Sequence, residues 1–509
     1  MGILRGRFRV FPSRVAILNN RSLCISGGAA LLVAVALSGC GSTTYFAGRS
    51  LPPSGLTNRV LISIQNPSPS SGGILEFVDA FYDIRYHYNS TNTGPQFAIS
   101  GYSAKLPSTI QNMPEERLGA VYSTGDGVLA LINYTKEITN PAVNGLNGFS
   151  ASAFVTRNQQ FAVAASQSSH ILTVVNRLTN TSYPLSLPGV YRVSVNPGGS
   201  MALAFVQNSN YIYYPRQLTA SESQAYSGGP STWPTGAEDC EPLNLPGMCL
   251  FQALDPKGNP LTFDRPVKAV FSADGGTAYI LSCGPECGGN KASVTSLPVA
   301  PLIFLLGQSS GSLPATTTAP SAQCGSVNIA SGCTPTPGGA SNALADSASS
   351  TLYVAGQQQQ PDGYWGGYLT VLGLSNSAGT TMTMSASLSI SDGAPGAISR
   401  MLLADDDTLW IGMSKCTNGE RASNGLPYGC LTMVNTTTNA ATLLPYNGDA
   451  TGIAAVTGLH KIYTAEGGQI YIYSTVNGSA IDNSNVTVTG TAYDVAYMDA
   501  LTDTNNTAY

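Results

Sequence analysis

Short apolar runs separated by polar turns recur along this chain at a nearly constant spacing. PSTIQNMPEERLGAVYSTGDGVLALINY (Pro107–Tyr134) and FSASAFVTRNQQFAVAASQSSHILTVVN (Phe149–Asn176) are both 28 residues long. Each holds an alternating strand, a polar turn, a stronger apolar strand, a second turn and a further strand. VYRVSVNPGGSMALAFVQNSNYIYYPR (Val190–Arg216) repeats the plan with Asn-Pro-Gly-Gly in its first turn. PVKAVFSADGGTAYILSCGPECGGNKASVTSL (Pro266–Leu297) repeats it with Ala-Asp-Gly-Gly. ASNALADSASSTLYVAGQ (Ala340–Gln357) is closed by GGYLTVLGL (Gly366–Leu374), and AISRMLLADDDTLWIGMSKC (Ala397–Cys416) by GCLTMVNTT (Gly429–Thr437). TGIAAVTGLHKIYTAEGGQIYIYST (Thr451–Thr475) completes the series. The central runs VLAL, FAVA, ALAF, AYIL, LYVA, LWIG and IYTA, bounded by Gly, Asp, Asn or Ser, predict buried strands of antiparallel sheets. Helical periodicity of any length is absent.

The two ends complement each other. TAYDVAYMDALTD (Thr491–Asp503) supplies a first strand and turn with no partner behind it. NRVLISIQ (Asn58–Gln65) and GGILEFVDA (Gly72–Ala80) supply second and third strands with nothing in front. Joined, they make one more unit and close a ring, which removes sheet edges that would otherwise pair with other chains. Second strands begin near Val60, Leu118, Phe161, Met201, Thr277, Leu352, Leu409 and Ile462. The expected fold is therefore an all-β propeller of eight four-stranded antiparallel blades over residues 58–503, with a tail at 504–509. A seven-bladed ring follows instead if the Leu118 unit is an insertion within a neighbouring blade. VSVNPGG with MALAF, and VFSADGG with AYIL, resemble the repeats of the lactonase-like and YVTN-type β-propellers of bacteria. That resemblance implies architecture rather than activity, because propellers carry many unrelated functions.

The start of the chain bears on its destination. Arg5, Arg7, Arg9, Arg14 and Arg21 precede an apolar stretch, Gly27–Leu37, with no acidic residue among them. About 11 apolar residues are too few to cross a bilayer, so the segment reads as an export signal over residues 1–39. Leu37-Ser38-Gly39-Cys40 resembles the lipobox of bacterial lipoproteins at every position. The resemblance implies a diacylglyceryl group on the Cys40 thiol, cleavage before it, and residues 40–57 as a lipidated tether. An ordinary signal peptide with a chance cysteine is the alternative. Gly41, rather than the aspartate that retains enteric lipoproteins at the inner membrane, favours the outer membrane of the cell envelope.

Without those five arginines, 18 basic residues remain against 28 acidic ones, a net charge of about −10. No basic cluster is left to displace the counterions of a nucleic acid, which excludes that class of partner. Only 10 % of the chain is charged, with 55 Gly and 25 Tyr, a composition suited to short strands and tight turns.

Two stretches exceed the unit length, 217–265 and 298–339, and read as insertions. Long insertions on a rigid scaffold are frequent binding elements, or else passive ornaments. The cysteines beyond Cys24 and Cys40 group as Cys240/Cys249, Cys283/Cys287, Cys324/Cys333 and Cys416/Cys430. In an exported protein that clustering predicts local disulfides. Cys283-x3-Cys287 also fits a zinc spacing, but no His or second pair lies nearby in sequence. Trp233, Tyr364, Trp365 and Tyr368 are candidate binding aromatics, with blade packing as the alternative role.

Catalytic signals are sparse. His87 sits in YDIRYHYN, where Tyr82, Ile84, Tyr86 and Tyr88 alternate with charged residues, and His170 and His460 sit in turns. None has a Ser or Cys nucleophile nearby in a recognisable elbow. Asp405-Asp406-Asp407 reads as a solvated hairpin turn, and Glu238-Asp239 with Glu241 is a weak cation candidate. The expectation is a monomeric, lipid-anchored binding or scaffold module for an envelope protein or polysaccharide, without cofactor, metal or enzymatic activity. A propeller hydrolase with a channel metal and a purely structural envelope lipoprotein are the alternatives.

Overall fold

Eight sheets follow one another around a ring, seven contributed by one sequence unit each and one by the two chain ends together. The computed structural model describes residues 51–502, apart from 67, 69, 89–92, 147–148, 151, 242–246, 255–257, 299–332, 362, 364, 375–380, 392–396 and 415–429. Blade 1 is built from both ends of the chain. Its inner strand Thr491–Tyr497 pairs antiparallel with Arg59–Gln65, which pairs with Ile74–Asp79. Residues 97–99 add an outer edge through the bridge between Glu76 and Ala98.

Going outward from the axis, blade 2 consists of Pro107–Met113, Leu118–Ser123, Val128–Asn133 and Ile138–Val143. Blade 3 has Ser152–Val155, Phe161–Ser166, Ile171–Asn176 and Thr181–Ser186. Blade 4 starts Val190–Val195, Ala202–Val206, Ile212–Gln217, and blade 5 has Pro266–Phe271, Thr277–Ser282, Ser293–Pro298 and Cys333–Pro335. Blade 6 runs Asn342–Asp346, Thr351–Gln359, Trp365–Leu374, Met382–Ser391; blade 7 runs Ala397–Ala404, Thr408–Ser414, Leu431–Asn435, Ala440–Leu443. Blade 8 closes the series with Ala450–Val456, Lys461–Glu466, Gln469–Ser474 and Ala480–Val486. The Leu118 unit is a full blade, so the count is eight and not seven.

The second strands are continuous apolar runs because both of their faces are covered. In Phe161–Ser166, Phe161, Val163 and Ala165 face blade 4, while Ala162 and Ala164 face blade 2. Side chains alternate across a strand, so each face feeds one neighbour. Eight hydrophobic clusters result, one in each wedge between adjacent blades. First turns are set by local chemistry. Asn196 Oδ1 accepts from the amides of Ser200 and Met201 at 2.9 Å, and Gly199 takes the left-handed φ of +66° that the turn requires.

The stretch 217–265 is not only an insertion. Met248–Gln252 and Ala237–Glu241 are the fourth and fifth strands of blade 4. Between them and the third strand lies a short helix, Ala220–Tyr226, capped by Thr219 and Glu222 in a reciprocal box. Cys333–Pro335, within 298–339, likewise forms the outer strand of blade 5.

Ring closure is reinforced by a buried ion cluster. The Arg59 guanidinium donates to Asp499 Oδ1 at 2.6 Å, to Glu137 Oε1 at 2.8 Å and to the Tyr134 carbonyl at 2.7 Å. Burial alone would lower the Arg59 pKa, but Asp499 and Glu137 outweigh it and raise it. One side chain thus ties both ends of the chain to blade 2.

Candidate functional site

The eight innermost strands surround a central cavity of about 630 Å3, and every blade contributes to its wall. A recurring irregularity aims their side chains. In blade 4, Val190 pairs with Val206 and Arg192 with Phe205, which leaves Tyr191 as an extra residue. Val267 is extra in blade 5, Ser399 in blade 7, Thr451 in blade 8 and Tyr493 in blade 1. Blade 2 slips between Pro107 and Ile110. A bulge bends its strand and re-aims the side chains beside it. The residue just after each bulge is Arg192, Lys268, Arg400, Gly452 or Asp494. Counting back from the first turn, Thr109, Ser152 and Asn342 hold the same position in blades 2, 3 and 6. All of these except the glycine line the cavity.

The carboxylates of the wall are already engaged. Arg400 of blade 7 pairs with Asp494 of blade 1, reaching past blade 8. It can do so because blade 8 carries Gly452 there: a Cβ at that position would lie 2.5 Å from Asp494 Oδ1 and 2.7 Å from Asp494 Cα. Asp494 also accepts from the amides of Ile110 at 2.8 Å and Val495 at 2.9 Å. Burial pushes its carboxyl up, against the pull of Arg400 and those amides. Toward the first-turn end, Arg157 pairs with Glu115 and, at 2.5 Å, with Glu116. Asp346 is spent on its own turn, accepting from the Ala348 amide at 3.0 Å and the Ser349 hydroxyl at 2.5 Å.

Two cations differ. Among the described residues, neither Arg192 nor Lys268 has a carboxylate partner. Lys268 Nζ donates to Asn342 Oδ1 at 2.8 Å. Burial, followed by the positive charges of Arg192 and Arg400, pushes the Lys268 pKa down to about 7. The Arg192 guanidinium stands 5.8 Å from the Tyr191 ring centroid. Among the described residues, the side of the channel formed by blades 4 and 5 therefore presents two basic groups with no carboxylate beside them. Elsewhere the charged groups are engaged as described and polar groups such as Ser152 fill the rest, its hydroxyl donating to the Val193 carbonyl at 3.2 Å.

The residues singled out in the sequence are dispersed over the molecule. Cys240 is bonded to Cys249, across adjacent strands of blade 4, and Cys283 to Cys287 in the second turn of blade 5. Cys333 and Cys430 are also disulfide-bonded; their expected partners, Cys324 and Cys416, lie outside the described residues, as do Cys40 and Tyr364. Trp233 is half-buried against the cluster between blades 4 and 5. Trp365 and Tyr368 are half-buried in the third strand of blade 6. His170 holds a turn, its Nδ1 accepting from the Gly189 amide at 3.3 Å. His460 is exposed and meets Asp406 at 2.9 Å, joining the first turns of blades 7 and 8. His87 falls in the short strand Tyr86–Tyr88, and its side chain lies outside the described residues. The alternation expected through Tyr82 is absent, since residues 81–83 form a turn. Asp239 accepts from the Ser186 amide at 2.5 Å, linking blades 3 and 4. Among the described residues no three His, Cys, Asp or Glu side chains gather into a metal-sized cluster.

Sequence reasoning missed Arg192, Lys268, Arg400 and Asp494. Their signal was positional: VYRVSV, PVKAVF, AISRMLL and TAYDVAY each place a charge directly before an apolar run, at one register of the repeat.

No protein-family model and no curated protein matches the chain. Solved structures that resemble it include a β-propeller domain. The β-propeller domain of a Myceliophteria thermophila protein is 8% identical, with a TM-score of 0.44, over 72% of this chain and 96% of that one. Kuenenia stuttgartiensis hydrazine synthase is 11% identical, TM-score 0.43, over 74% and 96%. A provisionally named 6-phosphogluconolactonase from Bacteroides fragilis is 12% identical, TM-score 0.37, over 86% and 97%. These proteins differ from one another in function, and at such scores none assigns an activity here. The chain is an eight-bladed β-propeller with a polar, partly cationic channel.

Proposed function

We propose that this propeller is a binding module of the bacterial cell envelope, anchored by lipid on Cys40. Its channel takes part of an envelope protein or polysaccharide. The observation that carries the reading is the channel itself. Eight strands converge on one cavity of a few sugar or amino-acid residues' volume, with hydroxyl and amide groups on its wall. Its carboxylates are held by Arg400, Arg157 and a turn, so the wall is equipped to hold a ligand in place by hydrogen bonds and charge. Gly41 after the lipidated cysteine supports an outer-membrane anchor on this reading.

The test uses the full-length protein in detergent, offered purified envelope polysaccharides and recovered from crosslinked cells. Wild type is expected to retain one glycan or protein species, and Thr109→Trp, which narrows the channel, to lose it. No retained species would overturn the binding reading; equal retention by Thr109→Trp would overturn the channel's part in it. The anchor is checked with a labelled fatty acid: wild type takes up label and Cys40→Ser does not. An unlabelled wild type would refute the anchor.

A further inference from the structure

The geometry points to an oxyanion site in the channel, formed by Arg192 and Lys268, that takes a carboxylate or phosphate group carried by the ligand. The inference rests on the binding reading above and adds the chemistry of what is bound. Its basis is an imbalance of charge in one cavity. Asp494 is matched by Arg400 and fixed by two backbone amides. Arg192 and Lys268 project from neighbouring blades with no carboxylate partner among the described residues, although both line the cavity.

Holding two like charges together in a partly dehydrated cavity is unfavourable unless something of opposite sign joins them. The strain is visible in Lys268, whose ammonium is brought down to about 7. An oxyanion between the two groups would relieve it. The supporting shell is already in place: Asn342 Oδ1 takes one proton of the ammonium at 2.8 Å and leaves the others free to donate. Arg192 offers the planar donor fork suited to two oxygens of one carboxylate or phosphate. Both side chains follow a bulge in their strand, so the pair is aimed by the sheet itself and not by a loop. The Thr109 and Ser152 hydroxyls on the same wall suit the uncharged body of the same ligand.

Titration calorimetry on the full-length protein distinguishes the possibilities, with trigalacturonate, inorganic phosphate and neutral maltotriose as probes. Trigalacturonate or phosphate is expected to bind at least tenfold more tightly than maltotriose, and to lose at least tenfold in affinity in Arg192→Gln and in Lys268→Gln. Trigalacturonate favoured over phosphate identifies a sugar carboxylate as the source; the reverse identifies a phosphate. Thermal midpoints of both variants within a few degrees of wild type show that the loss is local. Should either variant unfold, weakening of wild-type binding by raised salt serves in its place, since an ion-paired ligand is screened. Maltotriose bound as tightly as the anions, with both variants unaffected, would overturn the oxyanion site and leave the binding reading intact. Anions that bind equally well to the variants would also overturn it, as would a wild type that binds no anion while capturing its envelope partner.

Discussion

Glu466 shows how much one side chain can load a fold of this kind. It lies in the second strand of blade 8 with 0% of its surface exposed. One oxygen accepts from the Thr464 hydroxyl at 2.6 Å, and Thr464, Tyr473 and Asn447 favour the charged form less than burial opposes it. Burial pushes its pKa from 4.5 up to about 7. The folded protein therefore holds this proton more tightly than the unfolded chain does. Its stabilising share is full below about pH 4.5 and is lost as pH rises through 7. Glu466→Gln removes the charge while keeping the shape. Urea unfolding should find the variant more stable at pH 8 by up to about 3 kcal/mol and no more stable than wild type at pH 4.5. Equal stability of the two proteins at pH 8 would contradict this account. Nothing in the sequence around Glu466 marks it, since a glutamate beside Gly467-Gly468 reads as a solvated turn; only the packing of blade 8 against its neighbours removes it from water.

At the scale of the strand, the apolar runs were legible and the bulges were not. Runs such as FAVA and AYIL announce themselves because both faces are buried between blades, which demands side chains without charge on every position. A bulge in an inner strand leaves no such mark, because the extra residue is Tyr, Val, Ser or Thr, none of which signals a bulge as Gly or Pro can. The bulges nevertheless decide which residues reach the channel. Gly452 is the clearest case: its missing side chain leaves room for the Asp494 carboxylate that Arg400 meets. In Gly452→Ala the new carbon would press on the Asp494 backbone at 2.7 Å and the Val495 nitrogen at 2.8 Å. Rigid backbone cannot step aside as a flexible side chain can, so a loss of about 1–3 kcal/mol is expected. A thermal midpoint equal to that of wild type would show that this room is not needed.

For the whole molecule, stability is distributed over eight wedges that depend on one another through closure. The joint of Thr491–Tyr497 with Arg59–Gln65 could be anticipated from the two incomplete ends of the repeat. The buried cluster of Arg59, Asp499 and Glu137 could not, since its members are 78 and 440 residues away from Arg59. A chain ending at Gly490 would lose the inner strand of blade 1, expose an open sheet edge and leave Arg59 and Glu137 without Asp499. Both consequences favour self-association. Size-exclusion chromatography should find the truncated protein aggregated while the full-length protein elutes as a monomer; a soluble truncated monomer would refute closure as the source of integrity.

The sequence by itself determined the inner strands of each unit, their repetition around a ring and the sharing of one blade by the two ends, while leaving seven or eight blades open. These follow from burial on alternate faces and from turn chemistry, both of which act over a few residues and leave a local trace. Only the tertiary structure decided which charges meet. Arg192, Lys268, Arg400 and Asp494 lie tens to hundreds of residues apart, and electrostatic interaction depends on distance through space. Ring closure sets that distance, which no short stretch of chain contains.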